Sequence, residues 1–137
     1  MRGTRGPNAG WRERGAAAVE LAVIMPLLLL FIAGIVDFGR FFMTEIQLTN
    51  AVREGARVAV IGETPANVIL RTTTAAPVVA GLVVTMPQQC PSGGGGDVTV
   101  RATGDFDWIL LEPAMNVVGA AGALPTAEAE AVMRCGG

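Results

Sequence analysis

From Leu21 to Val36 the chain runs sixteen residues without a charge, and extending the stretch back to Ala16 gives 21 residues interrupted only by Glu20. At about 1.5 Å per residue this is enough to cross a bilayer core of roughly 30 Å. A soluble fold could hide such a helix only beneath much other mass, and 137 residues supply little of it. The stretch therefore reads as a membrane span. A cleaved secretory signal competes with that reading, but its apolar core is typically about 7–15 residues, and no A-x-A pattern follows this run. Pro26 removes one backbone donor within the span, a defect that membrane helices tolerate.

Charge is distributed with a sense of direction. Arg2, Arg5, Arg12 and Arg14 stand before the span against the single acid Glu13, Asp37 stands at its exit, and from Asp37 onward six arginines face ten acids. A basic head before an apolar run predicts a cytoplasmic N-terminus and an extracytoplasmic remainder, hence a single-pass protein of the plasma (inner) membrane. It does not read as a nucleic-acid binder, whose basic residues cluster on a folded face. His, Lys and Tyr are absent, so the usual general base, the Schiff-base nucleophile and the commonest metal ligand are missing. We expect no catalytic residues, no metal, no cofactor and no small-molecule substrate.

Glu20 is the oddity of the span. A carboxylate one turn inside an apolar run is costly unless it reaches the interface or a partner, so from its position alone interfacial snorkelling and a functional role stand level. Its neighbours add information. Gly15-Ala16-Ala17-Ala18-Val19-Glu20, following a basic leader and preceding the apolar run, resembles the type IV prepilin processing signature, in which a membrane peptidase cuts after the glycine. With Met25-Pro26-Leu27-Leu28, Val36-Asp37-Phe38-Gly39-Arg40 and Leu48-Thr49-Asn50-Ala51-Val52-Arg53-Glu54-Gly55-Ala56-Arg57, the string from Arg14 to about Ile61 resembles the TadE-like family, pseudopilin-like proteins of the tight-adherence (Tad) pilus machinery. Leu21 stands where the major pilins of that system usually carry tyrosine, which points to a minor component.

The resemblance implies a processing site at Gly15 and Ala16. It also implies a subunit-registry role for Glu20, facing the new α-amino group of Ala16 in the same or a neighbouring subunit, an ammonium that would lower the cost of burying the carboxylate. The implied partners are the membrane, other pilin-like subunits, pilus assembly proteins and a prepilin peptidase. A surface pilus becomes a further location.

Beyond Asp37, apolar residues at Phe38, Phe41 or Phe42, Ile46, Leu48, Val52, Ala56 and Ala59 or Val60 return every three or four positions, and Gly62 and Pro65 supply the stop. One helix is expected from about Ala16 to Ile61. Ala51, Gly55 and Ala59 form a small-residue stripe on it, suited to a partner helix or, as we favour, to the protein's own sheet. Arg53, Glu54 and Arg57 read as a solvated face with local pairs.

The remainder predicts an extracytoplasmic head. Thr64-Pro65 opens a short helix to about Ala75, although Thr72-Thr73-Thr74 argues against its last turn. Val78–Met86 reads as a strand with a bulge at Gly81, and Asp97–Thr103 alternates as a clear strand. Asp105–Leu111 is expected as a third strand, with Phe106, Trp108 and Leu110 on one face. Thr126–Met133 is left between helix, favoured by its alanines and glutamates, and strand, favoured by the family outline. The glycines at 93–96 lack the Gly-Lys-Ser/Thr of a phosphate loop, and Asp105 and Asp107 lack further ligands, so both read as a loop and a solvated face.

Cys90 and Cys135, the only cysteines, both fall on the exported side, where oxidising conditions favour a disulfide. Two cysteines without His do not complete a metal site, and no base is visible to activate a thiol. The expected architecture is α+β, a pilin-like lollipop with a long N-terminal transmembrane and stalk helix and a small antiparallel β-sheet head. Its parts are a basic cytoplasmic leader (1–15), a transmembrane helix (16–36), a helical stalk (37–62) and an extracytoplasmic head (63–137). The expected function is non-enzymatic, in initiating or anchoring a Tad pilus. The alternative is a membrane-anchored extracytoplasmic binding module that never enters a pilus.

Overall fold

A computed structural model describes residues 9–136, with side chains from Gly15 onward except at Ala121. Arg2 and Arg5 of the basic leader lie outside the described residues, and the side chains of Arg12 and Arg14 outside the described side chains. The chain folds as one long helix α1 (Ala9–Val60), a short helix α2 (Pro65–Ala75), strands β1 (Ala80–Gln88) and β2 (Asp97–Asp105), a two-turn helix α3 (Leu111–Val117), a 3-10 turn at Ala121–Ala123, and strand β3 (Ala127–Arg134). The expected α+β lollipop is therefore the observed one. Helix α1 begins ahead of the expected Ala16 and runs unbroken through Pro26 for 52 residues, about 80 Å at 1.5 Å per residue. Gly62, at φ 87°, ends it, with its N–H donating to the Ala59 carbonyl at 3.1 Å.

Helix α2 starts as its sequence predicts. The Thr64 hydroxyl accepts from the Asn67 N–H at 3.3 Å, and Pro65 occupies the first turn, where its missing donor costs nothing. The threonines that argued against its last turn are accommodated. Thr72, Thr73 and Thr74 donate their hydroxyl protons to the carbonyls of Val68, Ile69 and Leu70, at 2.8, 2.8 and 2.6 Å.

The sheet is antiparallel in the order β1-β2-β3, with β2 central. Strand β1 begins two residues later than expected and is irregular between Ala80 and Val83, around Gly81 at φ 58°. A Cβ at Gly81 would run into the Asp105 carboxylate, so the bulge needs glycine for space as well as for φ. Strand β3 resolves the ambiguity at 126–133 in favour of sheet. Its ladder with β2 runs without a break from Asp97↔Arg134 to Gly104↔Ala127, and pairing to a neighbouring strand outweighs local helix preference in an alanine- and glutamate-rich segment.

The core lies between one face of the sheet, α2 and the second half of α1. Leu48, Val52 and Ala56 of α1, Val68 of α2, Val98, Val100 and Ala102 of β2, and Ala127 of β3 are all fully buried. Ala51, Gly55 and Ala59 face inward too. A Cβ at Gly55 would overlap the Thr72 hydroxyl and touch Val100 at 3.4 Å. The close approach this stripe permits is thus made within the protein, to α2 and β2. Glu54 pairs with Arg71 of α2 at 3.2 Å across the surface, while Arg53 and Arg57 are exposed.

The expected third strand at 105–111 is not formed. Strand β2 ends at Asp105, and after Phe106, Asp107 and Trp108 the chain bends into α3. Phe106 and Trp108 do share a face, packing on each other at 4.9 Å and on Phe41 at 5.4 and 5.2 Å, but Leu110 turns away from them to the surface of α1 beside Leu29 and Ile32. Two causes are visible. The Leu110 and Leu111 N–H groups are taken by a side chain of α1, and Pro113 suits a first helical turn but cannot donate to a strand ladder.

Candidate membrane and assembly surface

The residues singled out for processing and registry lie together. Gly15, Ala16 and Glu20 are all exposed on α1, and Ala16 and Glu20, four residues apart, share one face of the helix. Glu20 makes no hydrogen bond or ion pair with the described residues. From Val19 to Ile32 every side chain of α1 is exposed, with Leu110 and Ala114 of the head lining a groove beside part of the stretch. Gly15–Val60 is the one helix among the described residues long and apolar enough to cross a membrane.

Just beyond this bare stretch the head clamps the helix. Asp37 is completely buried, and its Oδ2 accepts from the Leu110 and Leu111 N–H groups, each at 2.8 Å. Arg40 Nη1 lies 3.5 Å from Asp37 Oδ1 and donates to the Asp107 carbonyl at 3.3 Å. The guanidinium sits over the Phe106 ring at 5.2 Å, within cation–π range. Burial alone would push the Asp37 carboxyl up. The amides of Leu111 and Leu110, the Arg40 charge and the Ile109 amide outweigh it and hold the group below its ordinary value of 3.8.

Aromatic packing completes the clamp. Phe41 stacks on Trp108 at 5.2 Å, Phe38 meets the same indole edge-on at 5.2 Å, and the indole N–H donates to the Pro125 carbonyl at 3.3 Å. Two turns further along, Glu45 accepts from the Glu128 N–H of β3 at 2.9 Å. The clamp is not visible in the sequence, where Asp37 reads as a charge marking the exit of the apolar run and nothing singles out Glu45. The available signal was Arg40 three residues after Asp37, one helical turn away.

At the far end of the head Cys90 and Cys135 are joined by a disulfide, with Cα atoms 5.6 Å apart. The bridge links the chain just after β1 to the chain just after β3, so the two outer strands are tied at one end of the sheet. Cys135 N–H also donates to the Gly96 carbonyl at 2.9 Å, which fastens the glycine loop to the same point. Asp105 and Asp107 are both exposed, and among the described residues no group of three or more His, Cys, Asp or Glu side chains is placed to hold a metal. Arg101 and Glu130 form an ion pair across β2 and β3, which raises the arginine further above its already high value.

An exposed apolar helix long enough to cross a membrane, continued by a helical segment onto which a small disulfide-bridged sheet is clamped, defines an α+β lollipop. Residues 15–57 match the family model described as TadE-like protein. The TadE-like resemblance thus holds over residues 15–57 of α1, and it points to a protein associated with the Tad pilus. No curated protein and no solved structure matches the chain.

Proposed function

We propose that the chain is a non-enzymatic, single-span, pseudopilin-like component of Tad pilus assembly that helps to initiate or anchor the fibre through its N-terminal helix. In this reading residues 1–15 are a cytoplasmic leader, 16–36 the span, 37–62 the stalk and 63–137 an extracytoplasmic head. The observation that carries the reading is the exposed stretch of α1 over residues 15–32: an apolar surface with Ala16 and Glu20 on one face, Glu20 making no bond with the described side chains, inside the TadE-like segment. A surface of this kind offers lipid-facing area and a place for a neighbouring pilin-like helix. Partners are other pilin-like subunits, pilus assembly proteins and a prepilin peptidase.

Two measurements test it. Mature protein extracted from membranes of its native host is expected to begin at Ala16 by N-terminal sequencing. A chain beginning only at Met1 or Arg2 would favour an anchored binding module that stays outside the pilus. Glu20→Ala is expected to leave insertion intact, since the apolar run drives it, and to reduce co-purification with pilin-like partners at matched membrane abundance. Unchanged co-purification would make Glu20 an interfacial snorkeller and nothing more.

A further inference from the structure

We infer that α3 and its flanks, Ile109–Val118, form a second membrane contact, seated among phospholipids of the extracytoplasmic leaflet beside the span. The inference rests on the reading of α1 as a membrane span and adds an element to it. Asp37 fixes where α3 begins, by accepting from the Leu110 and Leu111 amides. From there the helix does not rise toward the sheet. Leu110 and Ala114 line a groove of about 400 Å³ whose other wall includes Pro26, Leu29, Ile32 and Ala33. Those positions lie four to eleven residues before Asp37, roughly 6–16 Å toward the cytoplasmic end at 1.5 Å per residue. Whatever bilayer surrounds Leu29 and Ile32 must therefore also meet α3.

The surface of the segment suits that depth. Ile109, Leu110, Val117 and Val118 are 59, 44, 87 and 72% exposed, although all four are apolar. Residues 113–127 carry no charge, and Glu112, the only charge between Trp108 and Ala127, lines a groove on the other side with Asp105, Asp107 and Thr126 of the head. Three backbone donors after α3 are satisfied locally, Gly119 by Asn116 at 3.1 Å, Ala120 by Met115 at 2.8 Å and Ala123 by Ala120 at 3.0 Å. Apolar side chains turned outward and backbone donors paired within the chain are what a water-poor layer admits.

The residues at the exit of the span agree. Asp37 stands just beyond Val36, and Phe38 and Phe42, 39 and 59% exposed, follow it at the interface, where aromatic rings collect.

Nitroxide labelling of the full chain in phosphatidylcholine–phosphatidylglycerol nanodiscs tests the inference. Single substitutions Val117→Cys, Leu28→Cys and Val83→Cys each supply one free thiol, because the native cysteines are bonded to each other. Val117 and Val83 are exposed and outside the core, so neither change should disturb folding. The expected result is that the label at 117 collides with oxygen and escapes a water-soluble nickel chelate, as at 28, with an oxygen-to-nickel ratio several-fold above that at 83. A ratio at 117 equal to that at 83, with 28 still lipid-like, would overturn the inference and leave the span standing. A label at 117 shielded from both reagents would mean that protein covers α3, and would overturn the lipid assignment. Nickel access at 28 would overturn the span itself, and with it the inference.

Discussion

Replacing Cys135 or Cys90 with serine is expected to lower the stability of the head by about 3–4 kcal/mol, the typical contribution of a bridge closing a loop of this size. The sequence separation is 45 residues, and the bridge ties together the two outer strands of the sheet at the end farthest from the Asp37 clamp. Domains commonly have only about 5–15 kcal/mol of stability in total, so the loss is a large fraction. It should be larger in effect here because the core is built mainly of valine and alanine, with its aromatics confined to the clamp. The serine variants should be cut by protease within 80–137 at concentrations that spare the wild-type chain, while the helix remains membrane-bound. Equal protease resistance with and without the bridge would refute the estimate. The same thiols report sidedness. In intact cells a thiol reagent that does not cross membranes should label them only after reduction. Labelling that requires permeabilised membranes would reverse the orientation proposed for the chain.

The elements that could be read from sequence are those whose causes are local. Apolar residues at helical spacing from Phe38 to Ala59 gave the stalk, Thr64-Pro65 the start of α2, and strict alternation in Asp97–Thr103 the central strand. The last two segments of the head were read less well, and for different reasons. At 126–133 local preference and pairing point in opposite directions, and only a neighbouring strand decides between them. At 105–111 the determining group, the Asp37 carboxylate, is 73 residues away from the Leu110 amide that it binds, beyond the reach of any periodicity argument. The placement of Gly15, Ala16 and Glu20 on one helix was legible from the apolar run around them, while the roles proposed for them rest on the resemblance. The packing role of Asp37 was not legible, because a charge at the exit of an apolar run already has a sufficient explanation in topology.

That hidden role makes Asp37 the side chain whose loss should most alter how the head meets the helix. Asp37→Ala leaves the Leu110 and Leu111 N–H groups without their acceptor in a buried place and removes the partner of Arg40. A cost of about 3 kcal/mol is expected, most of it from the two orphaned amides, since hydrogen bonds to a charged acceptor are typically about 1.5–3 kcal/mol each and are not additive. The half-exposed Arg40 adds little to this. Asp37→Asn keeps an oxygen of the right shape without the charge, and should fall between alanine and wild type. The pH dependence follows from the direction of the shift. A carboxyl held below its unfolded value of 3.8 contributes its full stabilisation above that pH and loses it as the pH falls through the lower folded value. Wild-type chain in detergent micelles should therefore lose stability more steeply than Asp37→Ala below about pH 4, and the two should differ by a constant amount from pH 5 to 7. Trp108, packed on Phe38 and Phe41, reports the release of the clamp by its fluorescence in a Trp11→Phe background. Identical denaturation midpoints for Asp37→Ala and wild type at neutral pH would show that the head is held to the helix by its apolar core alone.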